Sequence, residues 1–321
     1  VAEYRAQNRG GKGVTGHKPK EEDFVENMFV TSTHDDIMFF TNYGKVYRIK
    51  GYEIPEAQKT ARGRAIVNII QLDDGEKVNA MIPCKEGQEG FIAMATKNGL
   101  IKKTALEEFE SIRKTGKIAI KLNDGDELVS VIFTSGSDEI LIGTYKGKCL
   151  RFYEGLDEER GTYGLKPIGR DTQGVKAMDL DDDDYLIGMS VTKEGHYILT
   201  VTENGYGKLS RVDDYRLQGR AGKGIKSGNY SDKTGKPICL TFIDPESDIM
   251  MIYDTVIVIR LRASDISILG RDTQGVIIMR LNTGVVSTVA AVPHEDEEEV
   301  AGDEETLENV EEGAEEVAEQ E

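Results

Sequence analysis

The sequence predicts an all-β fold, a propeller-like ring of small four-stranded sheets. Three observations carry this. The heptapeptide GRDTQGV stands unchanged at 169–175 and at 270–276. The opening VAEYRAQNRGGKG (1–13) aligns without a gap on VDDYRLQGRAGKG (212–224), matching Tyr4 to Tyr215, Arg9 to Arg220 and Lys12 to Lys223. Short apolar runs flank a central glycine again and again, the pattern of tight hairpins.

Anchored on these matches, six boxes run into Val14, Ile66, Ile118, Val175, Ile225 and Val276, a spacing of 50 to 57 residues. Most units then read in one order. A short strand comes first, as at 65–72, 117–123 and 276–282. A polar turn follows: DDGE (73–76), NDGDE (123–127) or DDDD (181–184). A second strand comes next, at 77–84, 127–134 and 185–192. A hairpin closes the unit, with tips at Tyr43-Gly44, Asn98-Gly99, Lys146-Gly147 and Asn204-Gly205. Glycine there supplies the positive φ that a tight hairpin turn requires. The fifth copy, 250–261, has Asp254-Thr255 at its tip instead. Helical periodicity is confined to a hint near 105–109. There are six boxes and five hairpins, so the expectation is a piece of a longer protein whose preceding hairpin lies upstream of Val1.

The formal net charge of −18 is uneven. Residues 293–321 hold 15 acidic residues and no Lys or Arg, leaving 1–292 near −3. Such a polyanionic block repels itself and is expected to be disordered, which divides the chain into a folded body, 1–292, and a tail, 293–321. No apolar run reaches the roughly 20 residues that span a bilayer. Cys84, Cys149 and Cys239 lie far apart and fit free thiols in a reducing cytoplasm. His17, His34, His196 and His294 lack metal-ligand spacing, and no cofactor motif is present.

The cations recur with the repeat. One stands four residues after a turn-region glycine in Arg48, Lys103, Arg151 and Arg211, and the fifth copy offers Arg260 and Arg262. Lys45, Lys148 and Lys208 follow a glycine directly. The boxes add Arg9, Lys12, Arg62, Arg64, Lys114, Lys117, Arg170, Arg220, Lys223 and Arg271. In a ring, a repeated cation becomes a cation at intervals around a perimeter. That suits a bent polyanion, because each neutralised phosphate releases counterions without regard to base sequence. Lys and Arg at strand ends also serve as guards against edge-to-edge pairing, which is the alternative for any single one.

Two other motifs fall short. GRAGKGIKSG (219–228) lacks the glycine directly before Lys-Ser that a phosphate-binding loop needs. DLDDDD (179–184) lacks the glycine and terminal glutamate of a calcium loop and falls where other units have a turn. No nucleophile with a partnered base emerges from the spacing.

Gln7-Asn8-Arg9-Gly10-Gly11-Lys12-Gly13 resembles the box of the bacterial DNA gyrase A family, Gln-basic-Arg-Gly-Gly-basic-Gly, in six of seven positions, with Asn8 in the second. The sequence that follows is also similar, and the resemblance extends to about residue 292. It implies a six-bladed β-pinwheel in which neighbouring blades exchange strands and a basic outer rim wraps duplex DNA. It further implies an upstream gyrase A domain with the cleaving tyrosine, a B subunit carrying the ATPase, an A2B2 holoenzyme that introduces negative supercoils, and a cytoplasmic, nucleoid-associated location. This segment would then be monomeric and catalyse nothing itself. The topoisomerase IV C-subunit family has a similar ring without an intact box, and a protein-docking propeller is the other alternative. The first box is expected at the seam between first and last blades.

Overall fold

The computed structural model describes residues 14–15, 29–57, 64–159, 161–193, 196–253, 257–281 and 284–294. Five four-stranded antiparallel sheets form, one for each hairpin. The hairpins are Asp36–Thr41 with Lys45–Lys50, Phe91–Thr96 with Leu100–Ala105, Glu139–Thr144 with Lys148–Tyr153, Tyr197–Thr202 with Tyr206–Arg211, and Asp248–Tyr253 with Ile257–Arg262. The turn glycines Gly44, Gly99, Gly147 and Gly205 have φ of 70, 88, 83 and 76°.

Each hairpin borrows its flanking strands. The inner flank comes from the next unit: Val78–Cys84, Leu128–Thr134, Leu186–Thr192, Pro237–Ile243 and Val286–Val292. The outer flank comes from the box after that: Lys117–Ile118, Val175–Lys176, Ile225–Lys226 and Val276–Ile277. For the fifth hairpin the outer flank is Val14–Thr15, paired with Val258 and Ile257. The first box thus edges the last sheet, as the seam expectation requires. The inner strands pack on one another in succession and surround a cavity of about 540 Å³ reached by Asn79, Ser130, Met189, Thr241 and Ser287.

Two expectations are corrected. Sheets follow hairpins rather than boxes, so five four-stranded sheets are described where six were expected. The box strands are also two residues long, not seven. After two residues the chain turns in. The Ala119 and Ile120 N–H groups both donate to the Gly44 carbonyl (2.8 and 3.1 Å), and Ile278 and Met279 do the same to Gly205 (3.0 and 3.1 Å). The second box forms a 3-10 turn, Ile66–Asn68, in place of a strand.

The polar turns hold the hairpin tips. Glu76, buried, accepts from the Thr41 and Tyr47 hydroxyls, each at 2.7 Å. Asp126 accepts from the Asn98 N–H at 3.0 Å, and Asp184 from the Lys146 N–H at 2.8 Å. Asp183 has φ 58° where DDGE and NDGDE place Gly75 and Gly125. The run of aspartates is a turn, as its position in the repeat predicts.

Candidate nucleic-acid interface

In every sheet the box strand lies on the edge opposite the central cavity, so the boxes form the perimeter. An arginine in each of three boxes reaches back to the box before it. Arg170 Nη1 donates to the Ile118 carbonyl at 2.7 Å, and Arg220 and Arg271 donate to the Lys176 and Lys226 carbonyls. Each also grips the segment that leads into that earlier box. Arg170 faces the Glu108 carboxylate, Arg220 Nε donates to the Gly164 carbonyl at 2.6 Å, and Arg271 Nε to the Asp214 carbonyl at 3.0 Å. These guanidiniums staple one unit to the next, and burial holds that of Arg220 below its ordinary pKa.

The cations of the hairpins separate into two sets. Arg48, Lys103, Arg151 and Arg260 occupy one register position, opposite Met38, Ala93, Leu141 and Met250. All four are paired internally. Arg48 meets Asp36 at 2.6 Å, and burial of that carboxyl is outweighed by Arg48 and Lys50, which hold it below the usual range. Arg151 Nε meets Glu139 at 2.7 Å, and its Nη1 donates to the Val212 and Tyr215 carbonyls. Arg260 Nε meets the fully buried Asp248 at 2.6 Å. In the second sheet Phe91 occupies the place of the acid, and Glu154 from the next hairpin's end pairs with Lys103 at 2.8 Å.

Lys103, Lys208 and Arg260 are each 1% exposed. Their assignment to a DNA-facing rim is therefore corrected: these charges are used inside. Arg211 is exposed but out of register with the others, because the turn residue is Gly205 and Arg211 lies opposite Tyr197. Lys208 likewise stands three residues after the turn rather than one.

Lys208 explains the repeated heptapeptide. Its Nζ donates to the carbonyls of Gly270 (3.2 Å), Arg271 and Thr273 (2.8 Å). Lys102, which sequence reasoning missed, donates to Gly169, Arg170 and Thr172 at 2.8, 2.6 and 3.2 Å and to Ala119 at 3.0 Å. Both lysines lie three residues after a turn glycine, and both are caged by a GRDTQG box. The third hairpin has Leu150 at that offset and meets the GRAGKG box instead. The signal was in the sequence: identical boxes accompany a lysine at an identical offset two units earlier. Burial pushes both ammonium groups down to about 8.

The perimeter keeps a separate set of cations. Of the predicted residues, Arg64, Lys114, Arg211, Lys223 and Arg262 are exposed. Lys45, Lys117 and Lys148 are half-buried; Lys45 and Lys148 pair with Asp73 and Asp181, and Lys117 donates to the Glu108 carbonyl at 3.2 Å. Asp73 raises the Lys45 pKa. Exposed cations that the spacing argument passed over include Arg113, Lys121, Lys176, Arg216, Lys226 and Arg280. Gln7 to Gly13 and Arg62 lie outside the described residues. Among the described residues, no group of three or more His, Cys, Asp or Glu is placed to hold a metal ion. Among them, too, no helix is long and apolar enough to cross a membrane.

The family model described as DNA gyrase C-terminal domain, beta-propeller, matches residues 1–32, 35–85, 90–135, 162–193, 196–236 and 257–295. The chain belongs to the DNA gyrase C-terminal domain family. The DNA gyrase A protein of Staphylococcus aureus strain NCTC 8325 is 43% identical over 317 residues, an alignment spanning 97% of this chain and 35% of that protein. The gyrase-family chain thus spans about a third of the length of the curated relatives it matches. A solved DNA gyrase A C-terminal domain superposes with a TM-score of 0.79 at 26% identity, covering 90% of this chain and 93% of that one. A DNA topoisomerase IV C-terminal domain superposes with a TM-score of 0.71 at 25% identity, covering 87% and 85%. Gyrase matches on both sequence and structure, so the topoisomerase IV alternative has the weaker support.

Proposed function

We propose that this chain is the non-catalytic DNA-wrapping domain of a gyrase A protein. It binds duplex DNA without regard to base sequence along its outer perimeter. It works beside an upstream gyrase A domain and a gyrase B subunit in an A2B2 holoenzyme in the bacterial cytoplasm, and it takes no cofactor. The observation that carries this reading is that five boxes of a gyrase-family chain edge the five described sheets, with exposed Lys114, Lys223 and Lys226 in or beside them, and exposed Arg64 beside the second box. Smoothly bending a short DNA site costs about 1–6 kcal/mol, and many spaced phosphate contacts offset it. Ligating a nicked circle with the protein bound tests this. A salt-sensitive change in linking number is expected, and it should shrink in a variant with Arg64, Lys114, Lys223 and Lys226 changed to Ala. A circle that closes with unchanged linking number while protein stays bound would leave a docking propeller as the better reading.

A further inference from the structure

The segment after each hairpin is a single 3-10 turn in four units: Gly51–Glu53, Leu106–Phe109, Val212–Asp214 and Ala263–Asp265. The third hairpin departs from this. From Tyr153 to the glycine before the box strand, Gly174, the chain takes 21 residues, against 13 from Arg211 to Gly224 and 13 from Arg262 to Gly275. The added length folds as a two-stranded ribbon, Leu156–Asp157 paired with Thr162–Tyr163.

The ribbon has a rigid root and an acidic tip. Glu154 at its base is fully buried, paired with Lys103, and accepts from the Gly136 and Asp138 N–H groups at 3.0 and 3.1 Å. Leu165 is 1% exposed in the core. Gly164 donates to Gly155 at 3.0 Å, closing the root. The tip reads Asp157-Glu158-Glu159-Arg160, and Glu158 and Glu159 are exposed. Leu156 and Tyr163 are 43% and 47% exposed, so the ribbon stands off the body.

Its position is on the perimeter. Arg220, which staples the fifth box to the Lys176 carbonyl, holds the Gly164 carbonyl with the same guanidinium. The ribbon and the approach to that box, Leu217 to Arg220, line a common groove of about 440 Å³. An acidic projection thus stands beside the approach to the fifth box, held there by the arginine that joins that box to the fourth.

We propose that this ribbon is a divider on the DNA path. Its carboxylates and its projection keep the phosphodiester backbone off the approach to the fifth box, Leu217 to Arg220, so that contact breaks between the fourth box and Lys223. This rests on the wrapping reading above. Repulsion between Glu158, Glu159 and a phosphate reaches about 10 Å at 0.1 M salt and about 3 Å at 1 M, so the electrostatic part is salt-dependent and the steric part is not.

Two variants of the full chain separate these parts. In one, Asp157→Asn, Glu158→Gln and Glu159→Gln keep the ribbon and remove its charge. In the other, Leu156–Tyr163 is replaced by Asn-Gly, a two-residue turn suited to the bonded ends Gly155 and Gly164. Circular dichroism and thermal unfolding confirm that each retains the fold. The neutral ribbon should bind linear duplex DNA about two- to fivefold more tightly at about 0.05 M salt, with the gain gone by about 0.5 M. The replaced ribbon should lengthen the nuclease-protected DNA by about one helical turn, roughly 10 base pairs, and enlarge the linking-number change. An unchanged footprint in the second variant overturns the proposal, and a shortened one makes the ribbon a DNA contact instead. If the unaltered chain protects no DNA, the wrapping reading itself fails.

Discussion

Charged side chains here do two kinds of work, and burial tells them apart. Lys103 and Glu154 form a pair with both members nearly inaccessible. Removing one partner leaves an uncompensated buried charge, so Lys103→Met should destabilise the chain by about 3–5 kcal/mol in urea unfolding. The double change Lys103→Met, Glu154→Gln should cost less than Lys103→Met alone. Lys102 and Lys208 are buried ammonium groups with pKa pushed down to about 8 from 10.5. Between those values the unfolded chain binds more protons, so stability rises with pH through that window. Cys149 and Cys239, pushed up to about 12 by burial, act in the opposite direction above their ordinary value of 9.0. The lysine contribution is therefore cleanest from about pH 8 to 9. Unfolding free energy should climb there, and Lys208→Met should remove about half of the climb. A climb unaltered by that change would assign it to other groups.

At the scale of the element, the hairpins were legible in the sequence and the box strands were not. A glycine between apolar runs admits the positive φ that a tight hairpin needs, and Gly44, Gly99, Gly147 and Gly205 take it. A box strand is set by its partner instead: Val175–Lys176 is extended because Ile101 and Leu100 pair with it. No property of residues 175–182 alone says that pairing stops after two residues. The cation pattern misled for a related reason. Spacing from a turn fixes which face a side chain takes, yet whether a carboxylate waits there depends on another strand, as Asp248 does for Arg260 and Glu154 for Lys103. The fifth box carries a local strain that is testable. Ala221 has φ 67°, a conformation that disfavours side chains, and the first box has Gly10 at the matching position. Ala221→Gly should stabilise the chain by about 1 kcal/mol, read as a higher urea midpoint with unchanged slope.

Over the whole molecule, the first box is distinguished by where it lands. It contributes Val14–Thr15 to the last sheet, joining the two ends of the ring. Replacing Arg9 and Lys12 together by Ala should therefore reduce the linking-number change more than replacing Arg220 and Lys223. Equal effects would make the first box one repeat among several. The acidic segment after Val292 carries enough charge to compete with DNA for the perimeter. Truncation there should tighten DNA binding, most at low salt, and unchanged affinity would leave the segment a solubilising extension. The pairing of Val14 with Val258 has a consequence for how the molecule assembles. Every other sheet joins hairpins to strands one or two units away, whereas this edge spans nearly the whole chain. Closing so long a loop costs chain entropy and returns only a two-residue ladder. Contacts of such separation form late. The ring should therefore fold as an open arc that shuts last, and should open first at the same place under stress.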